Sequence, residues 1–84
     1  MRHARPDDLV DIEPLLAELR SFEQLVERTP GSFYRKSKGF LHFHVDGDDL
    51  WCDVKLDGTA FERVRATTKA DQRSLLTAVR RTLR

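Results

Sequence analysis

The spacing of apolar positions changes along the chain, and each change marks an element. Leu9, Ile12, Leu15, Leu16, Leu19, Phe22, Leu25 and Val26 recur at intervals of three and four, the period of an amphipathic helix. Pro14 fits only a first turn, because it lacks an N–H and its ring clashes with a preceding turn. The pattern predicts a helix beginning near Glu13, a separate short helical turn over 7–12, and a stop at Thr29-Pro30-Gly31. Ser21 and Gln24 have capping-box spacing, which predicts a bend or restart at Phe22.

From Phe40 to Leu56 the period is two. Leu41, Phe43 and Val45 share one strand face and Phe40, His42 and His44 the other; then Leu50, Cys52, Val54 and Leu56 oppose Trp51, Asp53 and Lys55. Asp46-Gly47-Asp48-Asp49 is turn chemistry, since glycine accepts positive φ and aspartate bonds its own backbone. A two-residue loop at Gly47-Asp48 pairs Asp46 with Asp49, Val45 with Leu50, His44 with Trp51, Phe43 with Cys52, His42 with Asp53, Leu41 with Val54 and Phe40 with Lys55. In that register apolar meets apolar on one face at every rung.

The flanking segments are less regular. Ser32–Lys36 reads as a short strand with Tyr34 facing inward. Asp57-Gly58 signals a hairpin with a return strand over Thr59–Arg65. A two-residue loop there sets Phe61 against Val54 but Arg63 against Cys52, a charge facing the core, so a bulge between Phe61 and Val64 is expected. Thr68 and Asp71 open a last helix with capping-box spacing. Gln72, Leu75, Leu76, Val79 and Leu83 lie on one side of it, with Lys69, Arg73, Thr77, Arg80 and Arg84 opposite.

Helix, antiparallel meander of three or four strands, helix: this order predicts an α+β fold, a two-layer sandwich with both helices on the sheet face bearing Leu41, Phe43, Val45, Cys52 and Val54. The other face, with Phe40, His42, His44, Trp51, Asp53 and Lys55, is left open. The 84 residues are expected to form one small domain, with residues 1–6 as a flexible arm.

Composition adds limits. With 35% charged and 39% apolar residues the chain reads as globular rather than disordered. No apolar run is long enough to cross a bilayer, and no apolar stretch follows the basic residues of the N-terminus, so neither a membrane span nor a secretory signal is expected. A single cysteine permits no internal disulfide, which suits a cytoplasmic location. Net charge is +1, yet residues 63–84 carry seven basic groups and one acidic. Either this basic helix pairs with Glu13, Glu18, Glu23 or Glu27, or Arg73, Arg80, Arg81 and Arg84 meet an anion. With no interleaved aromatic and no recognition-helix motif, the first is preferred and a nucleic-acid partner is not expected.

Three function classes remain. A non-catalytic binding or homodimerising domain would use the open face, where Phe40 and Trp51 are large apolar groups for solvent to cover. A metal site or a histidine-based enzyme would use His42 and His44, whose Cα atoms stand about 6.7 Å apart on one strand face, with Asp53 across from His42. Against it, two histidines and an aspartate on a wet face are common. Nucleic-acid binding through the last helix is the third. Cys52, on the core face, is expected to be inert.

Overall fold

The computed structural model describes residues 1–84. In chain order it contains β1 (Arg2–His3), a 3₁₀ segment (Pro6–Ile12), α1 (Glu13–Arg20), β2 (Val26–Thr29), β3 (Ser32–Arg35), β4 (Lys38–Asp46), β5 (Asp49–Val54), β6 (Glu62–Arg65) and α2 (Lys69–Thr82). The expected α+β sandwich is present, with a larger sheet than expected. Six antiparallel strands form it, β2 to β6 as a meander, with β1 added beside β4. No helix is long and apolar enough to cross a membrane.

The central hairpin has the register set by its alternation, from Asp46↔Asp49 through Leu41↔Val54, and the Lys55 N–H donates to Phe40 O beyond it. Gly47, at φ 62°, starts the two-residue turn, as a type II′ turn requires. α2 begins as read: the Thr68 hydroxyl accepts from the Asp71 N–H and the Asp71 carboxylate accepts from the Thr68 N–H. Pro14 falls in the first turn of α1, behind the 3₁₀ segment.

The first helix is shorter than its apolar period suggests. It ends at Arg20, where the Ser21 hydroxyl donates to Glu18 O in place of capping a new turn. Hydroxyl side chains compete for backbone partners in this way. Val26–Thr29 is then a strand, and Pro30-Gly31 is the turn into β3, with Thr29 opposite Ser32 and Gly31 at φ 77°. Pro followed by Gly at these two positions is type II chemistry. In β3 it is Phe33, not Tyr34, that points inward and is fully buried.

A second departure lies in β4. Phe33 pairs with Leu41 and Tyr34 with Gly39, so Phe40 is an extra residue on its strand. Such a bulge breaks the alternation locally, and Phe40 joins the buried core, 2% exposed, instead of sharing the open face with His42 and His44.

β6 corrects the third. The β5–β6 connection runs from Lys55 to Phe61 without a bulge in the strand, which sets Val64 against Cys52 and Arg63 against Asp53. Phe61 stays outside the ladder, 45% exposed.

Leu9, Ile12, Leu15, Leu16 and Leu19 from the N-terminal helical layer, Leu75, Val79 and Leu83 from the C-terminal one, and Leu41, Phe43, Cys52 and Val54 from the sheet form one apolar cluster. Burial raises the Cys52 thiol well above its ordinary pKa, so it remains a protonated packing residue.

Candidate functional site

Neighbouring strands place side chains of the open face in rows. One row runs His3, His44, Trp51, Arg65 across β1, β4, β5 and β6; the next runs His42, Asp53, Arg63 across β4, β5 and β6. His42, His44 and Asp53 are thus brought together as the sequence predicts, while Arg63 and His3 are additions. The segment read as a flexible arm holds His3 in place, because Arg2 and His3 pair with Val45 and His44 and the Ala4 N–H donates to Phe43 O.

Asp53 is the hub. Its carboxylate accepts from Arg63 Nε at 2.8 Å and Nη2 at 3.0 Å, a two-pronged charge-assisted pair. His44 Nε2 lies 2.9 Å and His42 Nε2 3.4 Å from Oδ2. Despite its short distance, His44 Nε2 is buried and has no aligned hydrogen-bond partner, since proximity without alignment does not make a hydrogen bond. The ligating atoms of His42, His44 and Asp53 all lie within 4.8 Å of one another.

The rings crowd together. The His3 centroid is 4.7 Å from that of His44 and 5.7 Å from that of His42, and the latter two are 4.8 Å apart. Phe61 closes the outer side, edge-on to His42 at 5.0 Å, and Lys55 lies over the Phe61 ring at 4.9 Å. Trp51 is half-buried between His44 and Arg65.

The electrostatics favour a neutral His42 beside a charged Asp53. Arg63 holds the Asp53 carboxyl below its ordinary pKa, against the opposing effect of burial. Burial lowers the pKa of His42, and the neighbouring His44 lowers it further, with Asp53 opposing. Neutral imidazoles and an ionised carboxylate are the forms that bind metal.

Elsewhere, the preferred pairing of α2 with the acidic helix does not form. Arg20, within α1, takes both Glu13 and Glu27, and Arg73, Arg80, Arg81 and Arg84 make no ion pair. Arg80 lies over Phe22 at 5.8 Å.

One signal for Arg63 was present in the sequence: the register that pairs it with Asp53 also pairs Val64 with Cys52. His3 had no comparable signal, because a two-residue strand carries too little pattern to read. No protein-family model, curated protein or solved structure matches the chain.

Proposed function

We propose that this is a small non-catalytic binding domain whose open sheet face holds a divalent transition-metal ion through His42, His44 and Asp53, with the His3 ring packed beside them. The observation that carries it is the convergence of three ligating atoms within 4.8 Å, among them a buried imidazole nitrogen whose one close neighbour, Asp53 Oδ2 at 2.9 Å, makes no aligned hydrogen bond with it. A buried polar atom costs free energy unless something satisfies it, and a cation held between His42, His44 and Asp53 would do so.

The ring spacing supports the same reading. Two imidazoles on one tetrahedral ion, with metal–nitrogen bonds of about 2.0–2.1 Å, have ring centres about 5 Å apart; those of His42 and His44 are 4.8 Å apart. Nitrogen-rich donors favour zinc, nickel, cobalt or copper over magnesium or manganese. Arg63 occupies two of the roughly four lone-pair positions of the Asp53 carboxylate, leaving Oδ2 able to face the imidazoles while its orientation is fixed. With Phe40 in the core, Trp51 and Phe61 are the large apolar groups left beside the histidines.

Isothermal titration of the intact chain with zinc, nickel and manganese tests this. Zinc and nickel should bind, manganese at least about tenfold more weakly, and His42→Ala or His44→Ala should weaken zinc by about a hundredfold or more. Absence of heat with zinc and nickel, or heat unchanged in both variants, would overturn the proposal.

A further inference from the structure

At one end of the molecule the β3–β4 turn and the start of the β5–β6 connection enclose a second, chemically different concavity of about 310 Å³. Arg35, Lys36, Lys38 and Lys55 line it, with Phe40 and Gly58 among the remaining walls and no carboxylate in the lining. None of these four cations is in an ion pair. Two acidic residues are near in the chain. Asp57 accepts from the Thr59 and Ala60 N–H groups and the Thr59 hydroxyl in its own turn, and Glu62 is exposed on β6, opposite Val54.

The turn that gathers the cations is made at a conformational cost. Lys36 and Ser37 lie at φ 51° and 68°, a region that suits Asn-Gly far better than Lys-Ser. On the facing side, Lys55 is held by its N–H bond to Phe40 O and by the Phe61 ring under its ammonium. The last turn of α2 reaches the same end, where the Thr82 hydroxyl donates to Leu56 O at 3.0 Å.

We infer that this concavity binds a small ligand carrying two or more linked phosphates. Four uncompensated cations around one cavity call for a multiply charged anion. A planar guanidinium beside ammonium groups matches phosphate oxygens, and the volume is at the lower end of the range for small-molecule sites. Phe40, the one apolar residue of the lining, is buried in the core, and the adjacent Phe61 ring already carries the Lys55 ammonium, so the lining itself offers no free ring on which a base would stack. The charged end of the ligand is what is recognised.

The test is isothermal titration of the intact chain with inorganic triphosphate, pyrophosphate and sulfate, in EDTA so that a metal at the histidines plays no part. Triphosphate should bind most tightly and sulfate least, with affinity falling as salt rises. Lys36→Gln with Lys38→Gln should weaken triphosphate by about tenfold or more, and Lys36→Glu with Lys38→Glu further still. Arg73→Gln with Arg81→Gln removes the same charge from the outer face of α2 and should cost less than about threefold. Equal losses from the two double glutamine variants would show diffuse charge attraction and overturn the inference, as would no binding of triphosphate at millimolar concentration. A twenty-residue oligothymidylate binding over tenfold more tightly than triphosphate, and weakened by the Arg73/Arg81 pair, would also overturn it in favour of an extended nucleic-acid surface.

Discussion

Phe40→Ala distinguishes the bulged strand from a regular one, and with it a polar face from an aromatic one. If β4 alternated without interruption, residue 40 would stand beside His42 in solvent. The bulge instead places its ring in the core at 2% exposure. Withdrawing a phenylalanine side chain from the interior forfeits about 1.5–3 kcal/mol of transfer free energy, and the residual cavity raises the total to about 3–5 kcal/mol. A domain of this length has about 4–13 kcal/mol in all, so the variant would sit near the edge of folding. At the usual unfolding entropy per residue, the loss corresponds to a fall in Tm of about 20 °C. Phe40→Leu, expected to cost about 1–1.5 kcal/mol, keeps the measurement in range if the alanine variant is too unstable. Phe61→Ala serves as the reference: the same residue type at 45% exposure, expected to lose about 1 kcal/mol or less. Urea denaturation followed by far-ultraviolet circular dichroism reads all three, with an unchanged m value as the condition for comparing midpoints. A Phe40→Ala cost no larger than that of Phe61→Ala would refute the bulge and return an apolar group to the open face.

Other expectations concern the site and the turns. Arg63→Ala removes a cation from the carboxylate it holds by two bonds, so zinc affinity should rise by about three- to tenfold; a fall would mean that orienting Asp53 matters more than opposing the ion's charge. The His42 pKa is depressed in the fold, so its contribution to stability is complete above the unfolded value of about 6.5 and is lost as pH falls through the lower folded value. Asp53, also depressed, acts in the same direction at lower pH, its contribution being present above the unfolded value of about 3.9 and lost below the folded one. The urea midpoint of the metal-free chain should therefore drop between about pH 7 and about pH 5, less steeply in His42→Gln; a flat or rising profile would contradict the burial described for the ring. Gly31→Ala would set a Cβ 2.8 Å from Leu9 Cδ1 at φ 77° and should cost about 1–3 kcal/mol by denaturation. Ser37→Gly, at φ 68°, should stabilise by about 1 kcal/mol, and any loss would argue against a left-handed turn.

The readable parts of this chain are those in which several local rules agree. In the central hairpin, alternation, turn residues and face matching all select one register, and that register is present from Asp46 to Val54. α2 is similarly over-determined by a reciprocal cap and an apolar stripe. Where one rule stood alone, it misled. The spacing of Phe22, Leu25 and Val26 extends the helical period by chance, while Pro30-Gly31 reports a hairpin turn as well as a helix stop. Alternation by itself set Phe40 outward, and nothing local marks the register slip imposed by β3 pairing. Of the candidate site, His42, His44 and Asp53 follow from the hairpin, whereas Arg63 depends on the length of the next loop and His3 on a pairing from the far end of the chain.

β3 and β1 occupy one side of β4 in tandem, β3 along residues 38–41 and β1 along residues 44–45. Two amino acids therefore stopper a length of backbone whose donors and acceptors would otherwise be available to any passing extended peptide. Loosening that stopper, by deleting residues 1–3 or inserting proline at His3, would withdraw an imidazole from the cluster and in the same stroke create a sticky border. Weaker zinc binding and concentration-dependent clumping should then arrive together.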